Sequence, residues 1–275
     1  MLNLLTFDTE EWFHANYDNM DPDAYRGKGS RFAAQMDELL QLCSDYHCHA
    51  TFFVLGCIGE DYPEIVRRIV AAGHDVASHG YGHQLAYRQT LPEFKADVER
   101  SVGILEAVTG KKVLGYRAPS WSIIRENLHY LTALEELGLQ YDASIFPLKT
   151  FLYGIPDAPK EIHRPVVNGR TLNLYEIPMS VVNLMGRNMG FSGGFYFRFF
   201  PAWLIRQWIE QTNRAGRPAI LYLHPRELDP LERKLSLPLK ERFIHYYHVQ
   251  GNKEKLVSMM RRFPFISIAD YLTSH

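Results

Sequence analysis

Leu4-Leu5-Thr6-Phe7-Asp8-Thr9-Glu10-Glu11-Trp12-Phe13-His14 is the stretch on which the reading of this chain turns. A short apolar run ends abruptly in three carboxylates within four positions, and two large aromatics follow. A buried strand cannot carry unpaired charge into its core, so these acids belong at a strand end that water or a cation reaches. If the strand continues, Asp8 and Glu10 project to one side and Glu11 to the other. Alternation need not outlast the strand. Glu11 therefore stays a competitor for any cation, and Glu10 or Glu11 could equally cap the next turn.

Outward from this stretch, strand and helix patterns alternate. Residues 14–30 read as a long polar loop. A helix over about 31–46 follows Ser30 as N-cap, with Phe32, Met36, Leu39, Leu40 and Cys43 at helical spacing. Ala50–Gly56 reads as a buried strand, Pro63 opens a helix that Gly73 closes, and His74–Ser78 is a short strand. Helices about 92–109 and 123–137 alternate with strands at Val113–Tyr116 and near Leu139–Tyr141. Such alternation with short links indicates parallel βαβ units, as in an α/β barrel or a doubly wound sheet. Residues 145–200, rich in proline and holding an Asn168-Gly169 turn, break the rhythm as a hairpin-bearing insertion without a core of its own. A helix at about 201–215, a strand at 218–223, helices near 240–249 and 253–262 and a strand at 265–268 complete the chain. The expectation is one domain over 1–275, with residues from about 190 onward integrated into it.

Bulk composition narrows the class. The 275 residues are 46% hydrophobic and 22% charged, ordinary for a folded soluble domain. A net charge of −1 provides no global field for nucleic acid or an anionic membrane. No run of about 18 apolar residues exists to span a bilayer, and no basic-then-apolar leader precedes the first strand. Cys43, Cys48 and Cys57 are odd in number and form no Cys-x-x-Cys pair, so they read as reduced thiols. Together these predict a cytoplasmic protein.

Polar residues collect where the strands end, which is where parallel barrels build their sites. The ends carry Asp8-Thr9-Glu10-Glu11, then Ser78-His79-Gly80-Tyr81-Gly82-His83, Arg117-Ala118-Pro119-Ser120-Trp121, Tyr141-Asp142-Ala143-Ser144 and Leu223-His224-Pro225-Arg226. With 12 histidines in the chain, roughly 0.5 pairs at the His79/His83 spacing arise by chance, so the pair is weak alone. It gains weight because two imidazoles and a carboxylate with open positions describe a catalytic divalent-metal site. Arg117 reads equally well as a structural counter-ion, and Asp142 as an Asx-turn residue before Ser144. Trp12, Phe13, Trp121, Phe195 and Tyr196 lie near the proposed strand ends, where flat rings suit sugar faces, although core packing explains such residues too.

In order, Thr-Phe-Asp, His-x-x-x-His, Arg-x-Pro, Tyr-Asp-x-Ser and Leu-His-Pro make the chain resemble the polysaccharide deacetylase (NodB homology) domain of carbohydrate esterase family 4. Gly193-Gly194-Phe195-Tyr196-Phe197-Arg198, His224-Pro225-Arg226-Glu227-Leu228-Asp229-Pro230 and Arg242-Phe243-Ile244-His245-Tyr246-Tyr247 resemble a subfamily with a C-terminal extension, associated with exopolysaccharide loci. The resemblance implies a distorted (β/α)7 barrel and metal-dependent removal of N-acetyl groups from an N-acetylated oligo- or polysaccharide or its precursor. It implies Asp8 as general base, Arg117 as its orienting partner, His224 as general acid and Asp142 as the carboxylate tuning that acid. His79, His83 and a carboxylate would hold the cation, zinc first and cobalt, nickel or manganese as alternatives. Thr9 stands where most members carry the third ligand, so the resemblance passes that role to Glu10. Ser120-Trp121 departs from the usual tyrosine, leaving open which backbone N–H near Ser120 binds the oxyanion. Trp12, Ser120, Trp121, Phe195 and Tyr196 are the implied substrate contacts, and a homo-oligomer is compatible. Two rivals stand beside this reading: an allantoinase-like hydrolase of another C–N bond, and a non-catalytic sugar binder.

Overall fold

The computed structural model describes residues 1–16, 22–26, 30–150, 153–232 and 237–274. The Asp21-Pro22 and Gly27–Gly29 parts of the expected polar loop thus lie largely outside the described residues. The chain divides into two compact units, one of residues 1–50 with 191–275 and the other of residues 51–190.

In the first unit the strand Asn3–Thr9 is flanked by Ile220–Leu223 and Phe265–Ile266, all parallel. Every residue of Asn3–Thr9 is buried, as a parallel strand covered on both faces requires. The helix Phe32–Asp45 turns Phe32, Met36, Leu39 and Cys43 inward, as their spacing predicts, and the Ser30 hydroxyl accepts the Phe32 N–H at 2.9 Å. Helices Ala202–Arg214 and Asn252–Met260 lie close to their expected bounds. A six-residue helix, Gly194–Phe199, was not expected. It starts where the backbone at Ser192 and Gly193 runs beside Tyr222, and a Cβ on Gly193 would lie 1.8 Å from the Tyr222 ring. The close approach demands glycine there. Cys43, Cys48 and Cys57 are buried thiols.

In the second unit Thr51–Val54, Asp75–Ser78, Gly115–Tyr116, Tyr141–Asp142 and Tyr175–Glu176 form a parallel run in that order. The long helix Leu91–Thr109 starts in a capping box, where Thr90 and Glu93 exchange backbone bonds, and stops at Gly110 with a left-handed φ of 67°. The helix expected over 123–137 is instead a 3-10 turn, Arg125–Tyr130, leading into Leu131–Glu136. The insertion carries two hairpins. Val166–Val167 and Arg170–Thr171 close over Asn168-Gly169, and Val181–Leu184 and Arg187–Gly190 close over Met185-Gly186. Both turn pairs have positive φ, as two-residue hairpins need. Among the described residues no helix is long and apolar enough to cross a membrane.

Candidate active site

The first unit carries the acid cluster and His224. Asp8, Glu10 and Glu11 are all buried at the end of the first strand. Glu11 occupies the cap of a short 3-10 turn, Trp12–His14: its N–H donates to His14 Nδ1 at 3.1 Å, and its carbonyl accepts the His14 N–H. Glu10 turns elsewhere. Its Oε1 pairs with the Arg226 guanidinium and lies 3.4 Å from His224 Nε2. The capping role thus falls to Glu11, and Glu10 faces the histidine.

His224 follows the strand Ile220–Leu223 and is held at its other nitrogen. Glu227 Oε2 lies 3.1 Å from His224 Nδ1 and accepts the His224 backbone N–H at 3.0 Å. Glu227 Oε1 accepts from Arg198 Nε at 3.0 Å, both side chains being buried. Burial alone would raise the Glu227 carboxyl, but Arg198 first, then His224 and Arg226, hold it well below the usual carboxylate range. His245, on the same side, is pushed down to about 3 by burial and by Arg226 and Arg198. Glu227 and Arg198 are the site-region residues that sequence reasoning missed, although both stand inside motifs it had quoted.

The second unit carries the histidine pair and Arg117. His79 is buried, with Nδ1 2.8 Å from the Arg117 carbonyl oxygen. That bond fixes the ring and leaves Nε2 for a ligand role. The His79 and His83 rings stand 5.3 Å apart, and His83 has a left-handed φ of 59°. Gly80 is left-handed as well, and a Cβ there would meet an Asp97 carboxylate oxygen at 2.8 Å. Ser120 and Trp121 are consecutive left-handed residues, at 51° and 49°. Three non-glycine residues in that conformation on two strand-end loops mark stored backbone strain, which clusters at functional sites.

Arg117 is fully buried, donates from Nε to the Ala143 carbonyl at 3.2 Å, and lies 4.0 Å over the Phe53 ring. Asp142 accepts the Ser144 hydroxyl at 2.5 Å and the Ser144 N–H at 3.2 Å, as the Asx-turn alternative foresaw. Its buried neighbour Glu176 is pushed well up by burial and then by the Asp142 charge, while Asp142 is itself raised by burial. The carboxylate on His224 Nδ1 is therefore Glu227, and the Asp142 carboxylate is engaged by Ser144.

The aromatic candidates differ in setting. Trp12 is buried against Phe13 and Tyr25. Trp121 is buried between Phe146 and Tyr153, with ring centroids at 5.3 and 5.4 Å. Phe195 and Tyr196 are half-buried, Phe195 packing against Phe199, Phe243 and Tyr247. Ser120 is half-buried.

Comparison with known proteins gives this constellation a family. Residues 4–141 match the family described as polysaccharide deacetylase, and residues 143–273 match a domain of unknown function (DUF3473). A peptidoglycan deacetylase of Helicobacter pylori is 30% identical over 151 residues, which is 51% of this chain and 50% of that protein. A chitooligosaccharide deacetylase of Sinorhizobium fredii is 39% identical over 69 residues, 24% of this chain and 28% of that one. The chain thus spans about half or less of the length of these curated relatives. A crystal structure named for a polysaccharide deacetylase of Mycobacterium smegmatis superposes with a TM-score of 0.65 at 19% identity, covering 98% of this chain and 88% of that one. Peptidoglycan deacetylase PdaC of Bacillus subtilis does so at 0.51 and 16% identity, covering 99% and 90%. These likenesses give the fold, the parallel-stranded incomplete barrel of carbohydrate esterase family 4, with its helices. The family match over residues 4–141, half of the chain, leads to one conclusion: the chain belongs to the polysaccharide deacetylase family.

Proposed function

We propose that the protein hydrolyses N-acetyl groups from an N-acetylhexosamine polymer or its precursor, with Asp8 as base, His224 as acid and a divalent cation held by Glu10, His79 and His83. The observation that carries this reading is His224 itself, gripped at Nδ1 by Glu227 and turning Nε2 toward Glu10 at 3.4 Å. A histidine so mounted presents one proton in one direction, which a sugar binder does not need.

The donor set fits a catalytic cation: two imidazoles and one carboxylate, all buried, one ring already oriented by a backbone carbonyl. Zinc suits such borderline donors best. A cation bound there supplies a Lewis acid and water of lowered pKa. Asp8 then takes the proton of the attacking water. The oxyanion is met by a backbone N–H near Ser120, on the strained Ser120-Trp121 turn. As the C–N bond breaks, its electron pair leaves on nitrogen, which takes a proton from His224. Acetate and a free amine result. The names of the relatives support peptidoglycan- or chitin-like N-acetylated sugars as substrate. The three buried thiols support a reducing compartment, with an exopolysaccharide precursor as the material acted on.

The test is acetate release from N-acetylglucosamine oligomers together with the metal content of protein purified without chelator. Expected are about one divalent ion per chain, acetate release that stops on chelation and returns with zinc, and a loss of ~10²-fold or more in Asp8→Asn. Metal or sugar bound without acetate release would overturn the enzymatic reading. A metal-free protein active on small ureides would replace it with the allantoinase-like one.

A further inference from the structure

The deacetylase match ends at residue 141, and the region from 143 to 273 belongs to a domain of unknown function. Its three quoted motifs meet at one place. Arg198, from the Gly-Gly-Phe-Tyr-Phe-Arg motif, donates to Glu227 of the His-Pro-Arg-Glu motif. The same guanidinium donates to the carbonyls of Ile244, His245 and Tyr247, at 2.9, 3.1 and 2.8 Å, from the Arg-Phe-Ile-His-Tyr-Tyr motif. Those carbonyls close the helix Leu239–Tyr246, so Arg198 is a buried cation on a helix C-terminus. The short helix carrying Arg198 is fixed the same way. Lys255 Nζ donates to the carbonyls of Phe197, Arg198 and Phe200, at 2.9, 2.9 and 2.7 Å. Asn252 donates to the Glu227 carbonyl at 3.1 Å.

This network leaves Glu227 no freedom. Arg198 and the His224 backbone N–H are donors only, so Glu227 acts as an acceptor at both oxygens and requires the proton of His224 on Nδ1. The nitrogen left to deliver a proton is Nε2, the one that faces Glu10. We propose that Glu227, clamped by Arg198, is the positioning residue of the acid His224, and that providing this clamp is a function of the 143–273 region. The inference rests on the deacetylase reading and goes beyond it, because it assigns a role to Glu227 and Arg198, which that reading leaves without one. It also relieves Asp142 of the role the resemblance gave it.

An acid matters only when the leaving group needs a proton. An amine does; 4-nitrophenolate does not. The experiment compares Glu227→Gln, Arg198→Lys and His224→Ala in the zinc-loaded full chain on chitopentaose and on 4-nitrophenyl acetate. For Glu227→Gln the ratio of amide to aryl-ester turnover should fall by ~30-fold or more, with the KM for chitopentaose unchanged and the pattern of His224→Ala reproduced. Arg198→Lys should move the ratio the same way by a smaller factor, and it is the variant to read if Glu227→Gln does not fold. A merely structural role would lower both activities together. Equal losses on the two substrates in Glu227→Gln and Arg198→Lys, with His224→Ala still selective, would overturn the inference alone. Wild-type protein that releases no acetate from chitopentaose, or an unselective His224→Ala, would overturn the parent reading and this one with it.

Discussion

Arg198 and Glu227 form a buried ion pair whose removal should be felt far more singly than doubly. Their side chains are 4% and 5% exposed, and the contact is 3.0 Å. Arg198→Met leaves the Glu227 carboxylate charged and buried with its strongest partner gone, and it strands three helix-terminal carbonyls that water reaches only in part. Breaking one side of such a pair costs roughly 3–5 kcal/mol. For a chain of this size each kcal/mol moves the melting temperature by about 2–4 °C, so Arg198→Met should melt ~6–20 °C lower. In Arg198→Met/Glu227→Met neither charge remains to be desolvated. The double variant should therefore be more stable than the sum of the single losses predicts, by about 1–3 kcal/mol. Urea unfolding at neutral pH, followed by circular dichroism, measures all four corners of the cycle. Additivity within ~0.5 kcal/mol would refute the reasoning, because it would mean that Glu227 is as well solvated without Arg198 as with it.

Burial and the Asp142 charge push the Glu176 carboxyl well up, so above the ordinary carboxylate range the folded state binds more protons than the unfolded one. Stability that is full at low pH is then lost as pH rises, by at most ~1.4 kcal/mol per pH unit for one proton. Glu176→Gln should flatten the fall in urea midpoint as pH rises above the ordinary carboxylate range, and a slope as steep as wild type would count against the assignment. Gly193→Ala should cost ~2 kcal/mol or more, since its Cβ would sit 1.8 Å from the Tyr222 ring and 2.3 Å from the Tyr222 carbonyl oxygen. A variant melting within ~1 °C of wild type would show that the segment yields. Trp121→Ala, which removes an indole packed between Phe146 and Tyr153, should weaken folding by ~3–5 kcal/mol. Chitopentaose affinity of the folded fraction, measured by calorimetry, reports whether the indole also meets sugar.

What the sequence disclosed follows from how local each signal is. Helix Leu91–Thr109 carries its own stops, Thr90, Pro92, Glu93 and Gly110, and was legible to within a residue or two. The Asn168-Gly169 hairpin was legible because that dipeptide favours positive φ, whereas the matching turn at Met185-Gly186 has no such preference at its first residue. Tyr175–Glu176 escaped notice because two residues carry no periodicity. In the site, the motif residues announced themselves by standing at strand ends. The Glu11 cap was among the alternatives, since capping is decided within one turn. The partner of His224 was not legible in the same way. That partner, Glu227, is held by Arg198, 29 residues from it in sequence, and Arg198 in turn by carbonyls that only the folded extension presents. Long-range electrostatics of this kind leaves no mark on spacing.

The first strand has a consequence for biogenesis. Asn3 pairs in register with Phe265, and Leu4 with Ile220. A ribosome adding about 5–20 residues per second emits the second of those flanks roughly 10–50 s after the strand itself. Throughout that interval the strand lacks its pairings to Ile220–Leu223 and Phe265–Ile266, while residues 51–190 emerge complete. The strand Asn3–Thr9 is therefore the segment most in need of a holding chaperone. Nonsense mutations late in the message should yield aggregates rather than partly active enzyme, even those that spare every residue of the candidate site.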